Sequence, residues 1–215
     1  MPIICFEGAS AVGKTSLSER LRENYGAFVI PEVNLLFQRK ECEPKFWYFE
    51  KQIERWKMAV EAAKNHEIVI LDGDAFQPLW YNWSFDFDFG EPFEEILGFY
   101  QEKLSIGEID FPDKYFILTL RNDELRNRKI SDALRIRKNF ERHLRFIQPQ
   151  IAYFNFIKSI NGDLVEFIEN KEIEKSAERI INSIKDNNPN RITSLELFDA
   201  IENWLNKHNP EEFIS

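Results

Sequence analysis

The 215 residues of the chain suffice for one sizeable core and fall short of two ordinary domains with independent functions. At 43% hydrophobic, 14% aromatic and 30% charged residues the composition is that of a folded globular protein, which excludes disordered, collagen-like and low-complexity classes. Lysine and arginine number 28 against 37 aspartate and glutamate, and the resulting net charge of −9 disfavours nucleic acid and anionic membrane as partners.

The elements alternate along the chain. Residues 2–7, PIICFE, form a short apolar strand; a glycine-bounded turn follows, then a helix in which Leu17 and Leu21 lie one turn apart. A second apolar segment, AFVI, runs into Pro31 and Glu32. From Lys45 to Asn65, the 3- and 4-residue spacing of Phe46, Phe49, Ile53, Trp56 and Val60 predicts a long amphipathic helix. Ile68, Val69, Ile70 and Leu71 form a continuous run suited to a strand buried on both faces, and it ends at Asp72 and Asp74. Residues 76–112 are aromatic-rich and broken by prolines, with a helix expected over EPFEEILGFYQEKL. The aromatic segment FQPLWYNWSFDFDF at 76–89 either floors a pocket for a planar substrate or belongs to a core.

KYFILTL at 114–120 is the fourth strand. After it comes a long helical region carrying Arg121 and further arginines at 126, 128, 135, 137, 142 and 145, which Pro149 should kink or break. DLVEFI at 163–168 is the last strand, and residues 171–185 form a helix with Ile173, Ala177, Ile180, Ile181 and Ile184 on one face. Strands alternating with helices imply a doubly wound α/β sheet. The NNPN run at 187–190 reads as a linker. Thr193 or Ser194 followed by Glu196 then signals the start of a final helix, an appendage to the main domain that leaves a homodimer open.

Cys5 and Cys42 have no CxxC partner, so neither a disulfide framework nor a zinc site is expected. No apolar run approaches the roughly 18 to 20 residues of a membrane span, and a reducing cytoplasm is the expected location.

The sharpest chemical signal is GASAVGKT, which satisfies G-x-x-x-x-G-K-[ST] between a strand and a helix; from average residue usage a chance match arises in roughly 1% of chains this long. In such a loop Gly8, Ala9, Ser10, Ala11, Val12, Gly13, Lys14, Thr15 and Ser16 wrap phosphate oxygens with backbone N–H groups at a helix N-terminus. Lys14 then reaches the β- and γ-phosphates of ATP and the Thr15 hydroxyl is available to Mg²⁺. Asp72, at the end of a buried strand, is the second candidate Mg²⁺ ligand, and Asp74 is a candidate for substrate contact or support of the metal. Glu32, at the C-terminal end of the second strand, can accept the proton of an attacking hydroxyl; its ordinary alternative is to stabilise a helix N-terminus. Arginines clustered in an acidic chain suit a lid over transferred phosphates, with Arg126, Arg128, Arg135 and Arg137 the leading candidates. The ordinary reading of such a run is a solvated helix face. His66, His143 and His208 lack partners at ligand spacing and read as surface residues.

On these residues the chain resembles P-loop kinases of the nucleoside and nucleotide kinase type over about residues 1–185. FEKQIERWKMAVEAAKNHEIVILDGDAF is similar to the deoxynucleoside kinase stretch in which a Phe and a Gln on a helix precede an arginine and an acidic strand end. That resemblance implies Glu32 as general base, Tyr48 at a sugar hydroxyl and Gln52 at the base or ring. RIRKNFE at 135–141, with Arg135, Arg137 and Glu141, resembles the lid of those enzymes. Deoxynucleoside kinases usually carry Glu-Arg-Ser where this chain has Asp72, Gly73 and Asp74. The loop is also similar to that of chloramphenicol phosphotransferase-like kinases.

The implied fold is a three-layer P-loop NTPase sandwich: a mostly parallel five-stranded sheet, helices on both faces, and a helical lid at about 121–140. The implied domain occupies 1–186, with linker and C-terminal helix at 187–215. The implied activity is ATP- and Mg²⁺-dependent phosphate transfer to a small-molecule acceptor, a nucleoside or nucleotide foremost. Another hydroxylated acceptor, or a nucleotide-dependent switch or ATPase, is the alternative. Against a guanine-specific switch, NKEI and NKHN both lack the aspartate of [NT]KxD.

Overall fold

The computed structural model describes residues 1–39, 43–85, 92–131, 140–185 and 192–214. Five strands, β1 (Ile3–Gly8), β2 (Phe28–Ile30), β3 (Val69–Asp72), β4 (Lys114–Thr119) and β5 (Val165–Glu169), pair in the order β2-β3-β1-β4-β5, every pair parallel. The strands at the centre come from continuous apolar runs because both of their faces are covered. Alternation decides which face each side chain serves: Ile3, Cys5, Val69, Leu71, Tyr115 and Ile117 enter one core, and Ile4, Phe6, Ile70, Phe116 and Leu118 the other.

The first core is closed by α3 (Trp47–Ala62), α4 (Gln77–Phe85), α5 (Phe93–Ser105), α8 (Ile147–Ile160) and α10 (Ser194–Lys207). The second is closed by α1 (Lys14–Tyr25), α6 (Asn122–Ser131), α7 (Phe140–Arg145) and α9 (Ile173–Lys185). A short α2 (Val33–Leu36) follows β2. The layered parallel sheet is the architecture expected from the sequence.

Local chemistry sets the boundaries. Helix α1 stops at Gly26, whose left-handed φ of 66° returns its N–H to Arg22 and Leu21 carbonyls. The helical region after β4 divides into α6, α7 and α8, and Pro149 lies in the first turn of α8, where no intrahelical N–H bond is required of it. Thr193 caps α10 with a full capping box to Glu196. That helix buries Leu197, Phe198, Ile201 and Leu205 in the first core. Residues 76–85 resolve into both readings of the aromatic segment. Phe76, Leu79 and Trp80 are core, Trp83 stacks near Trp204 and Phe213, and Tyr81 borders a cavity; residues 86–89 lie outside the described residues. Among the described residues no helix is long and apolar enough to cross a membrane. Cys5 is a buried free thiol, and Cys42 lies outside the described residues.

Candidate active site

The C-terminal ends of β1 and β2, with the first turns of α4, border a cavity of about 1200 Å³. In an open parallel sheet this is the edge at which ligands bind. β1 ends at Gly8 and α1 begins at Lys14, so five residues must reverse the chain. Two positions in that loop admit only glycine. A Cβ at Gly8 would lie 2.3 Å from the Leu118 carbonyl oxygen of β4; one at Gly13, where φ is 102°, would lie 2.8 Å from Asn170 Nδ2 and 3.2 Å from Arg128 Nη1. Asn170 Nδ2 and Arg128 Nη1 each donate to the Val12 carbonyl at 2.9 Å, and Arg128 Nη2 donates to the carbonyls of Asn170 at 2.7 Å and Lys171 at 3.2 Å. The loop is thereby fastened from outside by α6 and the β5–α9 turn. Lys14 Nζ folds over the loop onto the Gly8 carbonyl at 2.8 Å. Gly8, Ala9, Ser10, Ala11, Gly13, Lys14, Thr15 and Ser16 all border the cavity, whereas Val12 turns its side chain into the core. A concave loop of main chain ahead of a helix N-terminus is a ready anion site.

Across the cavity stand Glu32, Asn34, Tyr48, Gln77, Tyr81 and His143. Glu32 is the N-cap residue of α2, yet its side chain makes no cap hydrogen bond and is exposed. Burial pushes the Tyr48 and Tyr81 hydroxyls above the usual tyrosine range, and the carboxylates of Glu32 and Glu7 add to the effect, so both remain protonated at neutral pH. Burial, with Lys14 and Arg142 nearby, pulls His143 below the usual histidine range and leaves it neutral. The expectation of a surface role for His143 is therefore corrected: α7 delivers it to the cavity wall.

Asp72 and Asp74 sit behind the wall rather than on it. Asp72 ends β3 and is 5% exposed. Asp74 is 1% exposed and accepts from the Tyr115 hydroxyl at 3.0 Å and from the main-chain N–H groups of Ala75 and Phe76. Burial pushes its carboxyl up to about 7. Gln52 is buried on α3, where Oε1 accepts from Arg55 Nη1 at 2.5 Å, so it faces the protein and not the cavity. Arg55 itself, 1% exposed, caps the ends of two strands: Nε donates to Pro31 O at 2.7 Å, and Nη2 to Asp72 O and Gly73 O at 2.8 and 3.0 Å. Arg126 pairs with Glu141 at 2.9 Å on the exposed surface, clear of the cavity wall, while Arg128 reaches the wall with its guanidinium on the loop carbonyls. Arg135 and Arg137 lie outside the described residues.

The sequence reasoning passed over Glu7. This side chain is 1% exposed and Oε1 accepts from Asp74 N at 2.7 Å and Gln77 Nε2 at 3.4 Å, while Oε2 accepts from Gln150 Nε2 at 3.2 Å and Gly8 N at 3.3 Å. A glutamate terminating an otherwise apolar buried run was the available signal. Gln77 and Tyr81 were hidden in the aromatic segment, because helical rotation decides which of its side chains meet the cavity.

A glycine-bounded loop joining a central parallel strand to a helix, at the C-terminal edge of a covered parallel sheet, defines a P-loop NTPase-type fold. The chain belongs to the AAA domain family AAA_28, whose model matches residues 3–152. Among curated proteins none matches it. Its fold is similar to that of solved nucleoside and nucleotide kinases. Deoxyadenosine kinase from M. mycoides with bound dATP aligns over 86% of this chain and 100% of its own, at 17% identity and TM-score 0.53. Thymidylate kinase from Candida albicans aligns over 86% and 92%, at 13% identity and TM-score 0.54. Thymidylate kinase from Ehrlichia chaffeensis aligns over 85% and 98%, at 19% identity and TM-score 0.51.

Proposed function

We propose that the protein is an ATP-dependent phosphotransferase that moves the γ-phosphoryl group of ATP to a small-molecule acceptor, a nucleoside or nucleotide foremost. The observation that carries this reading is the pairing of a phosphate-binding loop with the Glu32 carboxylate across a single cavity. A loop alone would serve any nucleotide-binding protein; a carboxylate facing it adds a base for an incoming nucleophile. In the reaction an acceptor oxygen attacks the γ-phosphorus, the bond to the β–γ bridging oxygen breaks, ADP leaves, and a hydroxyl acceptor passes its proton to Glu32. Lys14 and the loop N–H groups hold the β- and γ-phosphates, and Tyr48 and Tyr81 orient the acceptor by hydrogen bonds that their protonated hydroxyls can donate.

The Thr15 hydroxyl on the cavity wall, with the Asp72 carboxylate at the end of β3 behind that wall, would supply oxygen ligands of the kind Mg²⁺ takes together with substrate phosphates. Among the described residues there is no cluster of three His, Cys, Asp or Glu side chains of the kind that would hold a metal unaided. Bound there, the ion would neutralise charge on the phosphates. Arg128, fixed to the loop, supplies further positive charge on the donor side.

The test is ATP turnover with Mg²⁺ over a panel of nucleosides, nucleotides and other hydroxylated metabolites, with Lys14→Ala alongside. Acceptor-dependent turnover should fall in the variant by a factor on the order of 10³ or more, as expected for loss of a charge contact to the transferred group. Unchanged turnover in Lys14→Ala would overturn the proposal, and ATP hydrolysis indifferent to every acceptor would favour an ATPase or switch.

A further inference from the structure

We infer that Arg55 is the positioning residue for the Glu32 carboxylate: its guanidinium fixes the end of β2 against the turn after β3, and through that turn against the phosphate-binding loop. This rests on the phosphotransferase reading above, in which Glu32 takes the proton of the acceptor hydroxyl.

The sheet stops short of Glu32. β2 is three residues long and lies at the edge, and its pairing with β3 ends at Ile30 opposite Leu71. Beyond that point the two segments are joined by a side chain of α3. Arg55 Nε donates at 2.7 Å to the carbonyl of Pro31, the residue bonded to Glu32, and Nη2 donates to Asp72 O and Gly73 O at 2.8 and 3.0 Å. Gly73 completes the support. Its φ of 89° makes the turn, and the Glu32 side chain lies over it, with Cγ 3.8 Å from where a Cβ would stand. Its N–H donates to Phe6 O at 3.1 Å, on the strand that runs into the loop at Gly8. Glu32 and the loop are therefore registered to each other through one glycine and one guanidinium.

Only an arginine can make this connection. Its planar fork sends donors in several directions at once, to two segments of main chain and to Gln52 Oε1 at 2.5 Å, which holds the fork from α3 itself. A lysine would bring one nitrogen to the same place and could not span the carbonyls of Pro31 and Gly73. Arg55 is 1% exposed, so water does not compete for these bonds. It is also absent from the cavity wall, so its effect on a bound acceptor passes through the groups that it holds.

The experiment compares Arg55→Lys, Glu32→Gln and the double variant in the full chain, with ATP, Mg²⁺ and the acceptor of the panel above that the wild type converts fastest. A displaced base slows turnover without touching the donor side. Arg55→Lys should lower kcat by about 100-fold and leave affinity for a non-hydrolysable ATP analogue within about twofold of wild type. Glu32→Gln should lower kcat at least as far, and adding Arg55→Lys to it should cost less than about threefold more, because the group being positioned is already gone. A role confined to the stability of the fold would multiply the two losses and weaken ATP binding as well. Should Arg55→Lys fail to melt cooperatively, Gln52→Met repeats the comparison, since it takes away the Nη1 partner and leaves the carbonyl bonds in place. It should lower kcat several-fold, again only where the Glu32 carboxylate is present. Losses that multiply, or wild-type kcat in both Arg55→Lys and Gln52→Met, would overturn the inference and leave phosphate transfer standing. Wild-type kcat in Glu32→Gln, or transfer to no acceptor at all, would sink the reading beneath it and the inference too.

Discussion

Glu7 has four hydrogen-bond donors directed at it and almost no contact with water. The donors favour the carboxylate, since an ionised carboxyl is acceptor-only, while burial favours the acid and pushes its pKa up to about 8; Lys14 nearby works in the opposite direction. Asp74, held by the same turn, is pushed up to about 7 by burial. Both carboxyls are thus more readily protonated folded than unfolded, where they would lose their protons near pH 4. The folded chain binds more protons between those limits, and the stability from this source is fully present below pH 4 and lost as pH rises through about 7 and 8. Melting temperature should therefore fall from pH 5 to pH 8. Glu7→Gln, which carries no proton to lose, should flatten that slope while lowering stability overall, because its NH₂ group would face N–H donors. Parallel slopes for the two proteins in a thermal melt series would show that Glu7 is ionised throughout.

At the scale of elements, the loop is shaped as much by its neighbours as by its own glycines. Arg128 on α6 makes three hydrogen bonds to carbonyls of the loop and of the turn after β5, and a side chain at Gly13 would collide with this clasp. Arg128→Ala would leave the Val12 carbonyl with Asn170 alone. Hydrogen bonds to a charged group contribute about 1.5–3 kcal/mol each when buried, and these are partly exposed, so ATP binding should weaken by about 10- to 100-fold. The acceptor KM should stay close to wild type, because the clasp lies on the donor side. Calorimetric titration with a non-hydrolysable ATP analogue checks the first expectation and steady-state kinetics the second. Equal affinity in the variant would mean that the loop holds its shape unaided.

This contrast explains what could be read from the chain. Continuous apolar runs announce strands covered on both faces, Leu17 and Leu21 announce α1, and the loop motif carries its own geometry; each of these signals is local. The Arg128 clasp joins residues 116 positions apart and Glu7 reaches Gln150 across 143, so no spacing rule reports them. Gln52 shows the same limit within one helix. Its place on α3 follows from periodicity, but its partner is set by Arg55 three residues on, which turns to the β2 and β3 ends.

For the whole molecule the open question is whether α10 belongs to the fold or hangs from it. The linker composition at 187–190 suggests separation, yet Phe198 and Ile201 are wholly buried in the first core, α10 packs against α5 and α8, and the ring of Phe198 lies 6.3 Å from that of Phe76. Trp204 stacks on Phe156 of α8 at 5.2 Å and on His208 at 4.7 Å, which extends the contact to the chain end. Burying Leu197, Phe198, Ile201 and Leu205 at about 1.5–3 kcal/mol each gives about 6–12 kcal/mol as an upper bound, comparable to the about 5–15 kcal/mol by which whole domains are stable. An appendage would not carry that share. Phe198→Ala should cost about 3–5 kcal/mol, and for a chain of this length that corresponds to a melting temperature lower by about 6–20 °C. Removing residues 192–215 should abolish the cooperative transition or leave it close to room temperature, since the faces of α5 and α8 would be bared to water. A truncated chain that melts with the wild-type midpoint, alongside a Phe198→Ala variant of unchanged stability, would place α10 outside the cooperative unit and free that helix for a dimer contact.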